Sequence, residues 1–222
     1  LGDVYKRQVA KTADLLFNTR MGNMGQACNS PKRMIVMEDI YDDFVSSITQ
    51  AAKDIAVDNP WEDPGTLAPL SSTGAKERFT EQVKATVDEG ATLLAGGEDY
   101  DGPGAWVRPV VLTDVKKGSR GYYEELFGPA FMVFKVSSEE EAIELANDTP
   151  FGLGSAIFSS DSSRAEKVGA QIDSGMVYIN TPEETREYLP FGGVKRSGIG
   201  RELGPLAMDE FANKQLFFKK NA

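Results

Sequence analysis

An α/β fold, with a mainly parallel sheet covered by helices on both faces, is the architecture that this 222-residue sequence predicts. Short apolar runs alternate with segments of helical periodicity over most of the chain. In the last third, apolar runs at residues 153–158 and 175–179 flank a helical segment at 162–171, the βαβ arrangement that places parallel strands in one sheet. No internal repeat or low-complexity tract interrupts the alternation.

Arg33-Met34-Ile35-Val36-Met37 reads as the first strand. Residues 39–57 follow as a helix, with Ile40, Phe44, Val45, Ile48, Ala51, Ala52 and Ile55 on one face and Asp39 placed to cap the free N–H groups. Pro60, Pro64 and Gly65 make 59–65 a loop, since neither regular structure continues through them. A second amphipathic helix spans 73–89 and stops at Gly90. Strands follow at 92–95, 110–112 and 131–136, with a Gly/Asp/Pro turn region at 96–104. Ser138 with Glu141 opens a helix over 138–146 in the pattern of a capping box.

The composition, 41% hydrophobic and 26% charged, is that of a globular protein, and the length suits one large domain or one and a half small ones. No apolar run approaches the roughly 18 residues that span a bilayer, and the N-terminal residues show no signal pattern, so no membrane partner is expected. A net charge of −10 argues against a nucleic-acid partner, because phosphate binding draws on basic patches. One cysteine and no histidine exclude an internal disulfide, a Cys-His or Ser-His-Asp hydrolase and histidine-ligated zinc. They point to a reducing, cytoplasmic setting.

The single cysteine, Cys28, sits in Gly25-Gln26-Ala27-Cys28-Asn29-Ser30-Pro31, a glycine-led turn between a helix and a strand. A thiol there is presented to a cleft while nearby N–H groups lower its pKa; a lone cysteine equally suits a small buried hydrophobe. Without histidine, a catalytic Cys28 needs a carboxylate, a water or a neighbouring lysine as its proton acceptor. Three glycine-bearing stretches lie downstream: Glu124-Glu125-Leu126-Phe127-Gly128-Pro129, Phe151-Gly152-Leu153-Gly154, and Pro190-Phe191-Gly192-Gly193 running on to Ser197-Gly198 and Gly200-Arg201-Glu202. The first also suits a strand-entry turn and the second a tight turn. The third fits neither a P-loop nor a dinucleotide fingerprint, and backbone packing accounts for it locally.

Taken in order, with Ala146-Asn147-Asp148-Thr149-Pro150-Phe151-Gly152-Leu153 and Val177-Tyr178-Ile179-Asn180 between them, these stretches resemble the C-terminal half of an NAD(P)-dependent aldehyde dehydrogenase over residues 10–220. The resemblance implies that Cys28 adds to the aldehyde carbonyl to give a thiohemiacetal, that hydride passes to NAD or NADP, and that water hydrolyses the thioester left behind. A thiolate suits the first step and a thioester the last. It further implies that the Cys28 N–H belongs to an oxyanion hole, that Glu125 binds the nicotinamide ribose and that Phe127 packs beside the nicotinamide. Residues 180–189 correspond to a loop at the aldehyde entrance. Residues 213–222 correspond to a C-terminal strand through which family members form dimers or tetramers, reached by a connecting helix at 203–212.

The resemblance assigns 9–202 to the catalytic domain, with residues 9–19 as the helix before the nucleophile turn. Residues 1–8 fit no family pattern and are expected to be non-native. The family's dinucleotide-binding domain, its glutamate general base and the side-chain amide of its oxyanion hole are expected to precede residue 1, so little turnover is expected of this chain alone. The choice between NAD and NADP also belongs to that domain. Within the family, Arg20-Met21-Gly22-Asn23 and Gly193-Val194-Lys195-Arg196-Ser197-Gly198 resemble the succinate-semialdehyde dehydrogenase type. Gly22 occupies the place where some such enzymes carry a substrate-binding arginine, which leaves Arg20 and Arg186 as candidate cations for a carboxylate substrate. The acids around Arg186 instead suit an amino-aldehyde. A truncated, non-catalytic interaction module is the alternative outside enzymology.

Overall fold

The computed structural model describes residues 2–56, 67–98 and 104–221, so the expected loop at 59–65 and most of the turn region at 96–104 lie outside the described residues. The chain forms two compact units, Leu1–Thr149 and Pro150–Ala222. The catalytic-domain span expected over 9–202 crosses that boundary.

The first unit is built on a four-stranded sheet of β1 (Arg33–Met37), β2 (Thr92–Ala95), β3 (Val110–Thr113) and β4 (Ala130–Val136) in the order β1-β4-β3-β2. The β1–β4 and β3–β4 pairings are parallel and the β2–β3 pairing is antiparallel, so the sheet is mixed but mainly parallel. Side chains alternate across its faces, as the strand repeat requires. Met34, Val36, Val111, Phe131 and Val133 pack in one core with Val9, Ala13 and Phe17 of α1 (Gly2–Met21) and with Phe44 and Ile48 of α2 (Glu38–Asp54). Val110, Leu112, Ala130, Met132 and Phe134 enter a second core on the other face with Phe79 and Val83 of α3 (Thr73–Asp88). Phe17 stacks on Phe131 with centroids 5.0 Å apart, which seats α1 over the central strand.

Helix α1 runs from Gly2, well before the helix expected from residue 9. Helix α2 begins after Met37 with no side-chain cap, so Asp39 is not the cap that the sequence suggests. It lies with Glu38 in the first turn, where negative charge still complements the free N–H groups. Ser72 caps α3 and Gly90 follows it with φ 107. The short helix α4 (Arg120–Tyr123) was not anticipated; it bridges Thr113 to the Glu124–Pro129 segment. Ser138 caps α5 (Glu139–Asn147), accepting from the Glu141 N–H, but Glu141 reaches back to the N–H and hydroxyl of Ser137 rather than to Ser138. The capping box is therefore offset by one residue.

In the second unit, β6 (Gly154–Ile157), α6 (Ser162–Gly169) and β7 (Met176–Ile179) form the expected βαβ unit with parallel strands. Phe151–Gly152, expected to turn into that strand, is a separate strand, β5, paired antiparallel with β8 (Val194–Lys195). The Gly192-Gly193 motif packs against backbone: a Cβ on Gly175 would overlap the Gly192 carbonyl, and one on Gly193 would come 3.1 Å from the Gly152 carbonyl oxygen. The expected helix at 203–212 contracts to α7 (Ala207–Phe211). Residues 213–221, expected as a strand, form none. Leu216, Phe217 and Phe218 of that segment stand 80–90% exposed.

Candidate active site

The first unit places the Cys28 turn and the Glu125–Phe127 segment side by side. Helix α1 ends at Met21, and Asn23, Met24 and Gly25 then adopt positive φ values of 49, 59 and 73, which reverses the chain before Cys28. Asn tolerates that region; Met does not readily, and the buried Met24 side chain in the core holds it there. Asn23 and Gln26 lock the reversal, Asn23 Nδ2 donating to the Gln26 carbonyl at 3.1 Å and Gln26 Nε2 to the Asn23 carbonyl at 3.0 Å. Gln26 Oε1 accepts from the Ser71 N–H at 2.9 Å. Gly25 lies against Gly128, leaving no room for a Cβ.

Cys28 is exposed at the outer edge of this turn. The next basic residue, Lys32, folds back beneath it. Its Nζ donates to the Cys28 carbonyl at 2.9 Å, to the Ala27 carbonyl at 3.2 Å and to the Ser30 carbonyl at 3.3 Å. The same ammonium pairs with Glu125 Oε1 at 2.9 Å and lies 5.8 Å from the centroid of the Phe127 ring. Burial lowers the Lys32 pKa, opposed by its hydrogen bond to Glu125 and by that carboxylate's charge. The sequence alone assigns Lys32 no role. The absence of histidine is the signal that could have singled it out, since a lysine was one of the few groups left to act on Cys28.

Glu125 keeps 35% of its side chain exposed beside Lys32, and Phe127 is 43% exposed. A carboxylate with acceptor capacity left over and an open aromatic face suit a ribose diol and a planar heterocycle, so these residues fit the dinucleotide that the sequence implies.

Arg20 does not reach substrate, contrary to expectation. It is fully buried, and its guanidinium donates through Nε to the Ala130 carbonyl, through Nη1 to Ser30, and through Nη2 to the Leu126 and Gly128 carbonyls at 2.7 and 2.6 Å. Every N–H is committed within the protein. Arg20 continues the face carrying Val9, Ala13 and Phe17, and that periodicity is the sign that it points inward. Burial lowers its pKa to about 10, with the Glu125 charge opposing the shift. Arg20 therefore ties the Cys28 turn at Ser30 to the segment carrying Glu125 and Phe127. Arg33 lies beside the Tyr122 and Phe134 rings, 4.9 and 5.1 Å from their centroids, and donates to the Leu145 carbonyl at 2.9 Å. Arg186 belongs to the second unit, where it is exposed and ion-paired with Glu184.

Among the described residues no cluster of three acidic, Cys or His side chains offers a metal site, and no helix is long and apolar enough to cross a membrane.

An exposed thiol thus stands on a turn clamped to a segment that presents a carboxylate and an open aromatic face. The aldehyde dehydrogenase family model matches residues 6–216, and the chain belongs to the aldehyde dehydrogenase family. It is 48% identical over 197 residues to a succinate-semialdehyde dehydrogenase [NADP(+)] of Deinococcus radiodurans, covering 89% of this chain and 41% of that protein. It is 37% identical over 191 residues to a chloroplastic betaine aldehyde dehydrogenase of Beta vulgaris, covering 85% and 38%. Among solved structures, the succinic semialdehyde dehydrogenase of Streptococcus pyogenes in complex with NADP+ superposes with a TM-score of 0.90 at 44% identity, covering 95% of this chain and 46% of that one. The chain thus spans about two-fifths of the length of the curated relatives it matches.

Proposed function

We propose that this chain is the cysteine-bearing part of an aldehyde dehydrogenase that oxidises succinate semialdehyde to the acid with NAD or NADP. The observation that carries the reading is the grouping of Cys28, Lys32, Glu125 and Phe127 on two clamped turns. The similarity to relatives named for succinate semialdehyde supports the substrate.

In this reading the Cys28 thiolate attacks the aldehyde carbon and the carbonyl oxygen becomes an oxyanion. The Ala27 carbonyl is turned toward the Lys32 ammonium and the Ser30 N–H. The Cys28 N–H, on the opposite side of the same trans peptide, therefore points away from both and is available to that oxyanion. Glu125 would accept hydrogen bonds from the ribose and Phe127 would cover one side of the heterocycle. A dinucleotide held there would supply the hydride acceptor, and Cys28 would then carry the thioester. Hydrolysis of that thioester needs a general base, and the family's base lies upstream of the matching segment; the 222 residues alone are expected to turn over little or nothing.

Two structural facts favour an amino-aldehyde as the second reading. Arg20 is spent internally and Arg186 is neutralised by Glu184, so neither presents a free cation to a substrate carboxylate. The exposed segment Lys214–Lys220 supports assembly into a homo-oligomer, and a lone thiol suits a cytoplasmic setting.

The test is an oxidation assay with succinate semialdehyde and with betaine aldehyde, each with NAD and NADP, on this chain and on a version extended upstream at its locus. Activity in the extended form that Cys28→Ser abolishes is the expected result. Oxidation of betaine aldehyde alone transfers the substrate to the second reading, and no reduced cofactor with either aldehyde overturns the catalytic reading in favour of a non-catalytic module.

A further inference from the structure

We propose that Lys32 is a positioning residue for the dinucleotide: its ammonium holds the Glu125 carboxylate, before any ligand arrives, where the nicotinamide ribose meets it. The inference deepens the reading of Glu125 and Phe127 as a cofactor surface and rests on it.

A glutamate left to itself is a costly ligand, because its long side chain gives up rotamer freedom on binding. Glu125 is instead held at both ends. Its backbone carbonyl accepts from Nε2 of the buried Gln82 at 3.2 Å, and the next carbonyl, that of Leu126, accepts from Arg20 Nη2 at 2.7 Å. At the far end, Oε1 meets the Lys32 ammonium at 2.9 Å. Among the described residues, Lys32 is the one donor to this carboxylate. A carboxylate accepts about four hydrogen bonds, so the bond to Lys32 leaves capacity for both hydroxyls of a ribose diol. The neighbouring acid, Glu124, is taken up by Arg120 and Gln82.

Lys32 serves as a post because it is itself fixed. Its side chain is only 19% exposed, and its ammonium donates to the Cys28, Ala27 and Ser30 carbonyls at 2.9, 3.2 and 3.3 Å. All three acceptors belong to the backbone, so the post moves only if the turn moves. Partial burial of both partners also shields the pair from salt better than a surface pair is shielded. The same ammonium lies 5.8 Å from the centroid of the Phe127 ring, so one cation adjoins both groups that would receive the ribose and the heterocycle.

The test is titration calorimetry on the upstream-extended enzyme with NAD and NADP, and with ADP and its 2′-phosphate, which lack the nicotinamide ribose. Lys32→Met is expected to weaken the dinucleotides about threefold to tenfold, the cost of ordering one long side chain on binding, and to leave the two truncated ligands unchanged. Lys32→Arg restores most of the loss. In a Glu125→Ala background Lys32→Met has no further effect, since no carboxylate remains to be held. Unchanged or tighter dinucleotide binding in Lys32→Met, a loss shared equally by ADP, or the same loss in the absence of Glu125 overturns the proposal. The last two outcomes mark a lysine that only shapes the turn. Should Lys32→Met not fold, Lys32→Gln is read in the same way, because an uncharged amide forms no ion pair with the carboxylate. Failure of the underlying reading shows separately, as a Glu125→Ala enzyme that binds both dinucleotides as well as the parent does. If Glu125→Ala is weakened and Lys32→Met is not, the proposal falls alone.

Discussion

Gly25 and Gly128 meet backbone to backbone, so that a methyl group on Gly25 would overlap the Gly128 carbonyl oxygen. Through this contact the turn carrying Cys28 and the segment carrying Glu125 and Phe127 behave as one fitted piece. Gly25 also has φ 73, where an L side chain is strained whatever space surrounds it. Gly25→Ala is therefore expected to cost at least about 2 kcal/mol in urea unfolding.

Arg20→Met should cost about 3 kcal/mol, because it strips a charged donor from the carbonyls of Leu126, Gly128 and Ala130 and leaves them buried. Arg20→Lys should recover little, since an ammonium cannot reproduce the fork that meets these acceptors together. Thermal melts of both variants check this. A lysine variant as stable as the parent would show that charge, not donor geometry, is what the site needs.

Asp148 gives the fold an acid dependence with a defined sign. The Lys117 ammonium, then the Tyr122 hydroxyl, hold its carboxyl below the ordinary value of 3.8. A folded value below the unfolded one means that the contribution is fully present above the unfolded value and is lost as pH falls through the depressed folded value. Melting temperature followed from pH 6 to pH 3 should therefore fall less steeply in Asp148→Asn than in the parent.

Phe127 is 43% exposed, so Phe127→Ala should leave stability nearly unchanged while weakening dinucleotide binding in the upstream-extended enzyme. Fluorescence titration with NAD and NADP should show a loss of about tenfold, against little change in melting temperature.

Replacing Leu216, Phe217 and Phe218 together by serine removes an exposed apolar run. Light scattering should show a smaller assembly than the parent at the same concentration. An equal mass for both would dissociate this segment from oligomer formation.

The sheet and its helices were legible because buried strands and amphipathic helices leave direct periodicities in a sequence. The apolar run at Arg33–Met37 and the spacing of Phe44, Ile48 and Ala52 needed no context to be read. The pairing of Phe151–Gly152 with Val194–Lys195 was not legible, because two-residue strands carry no period. Cys28, Glu125 and Phe127 stood out through motif order. That Lys32 joins them was hidden, because the ion pair closes over a long stretch of chain that sequence spacing does not measure. Arg20 was misread for the opposite reason: proximity to the cysteine in sequence suggested a substrate contact, although its place on the Val9–Ala13–Phe17 face already directed it inward.

Strand β4 contributes to the cores on both faces of its sheet, and the Glu125–Pro129 segment runs directly into it. One wall of the site is thus an outgrowth of a strand buried on both faces. The opposite wall, which bears the thiol, hangs from a helix end and is fastened by the side chains of Arg20, Asn23, Gln26 and Lys32. A shift of one wall against the other would have to break the Gly25–Gly128 contact together with the hydrogen bonds of those four side chains, so the spacing between thiol and carboxylate is set by the fold itself.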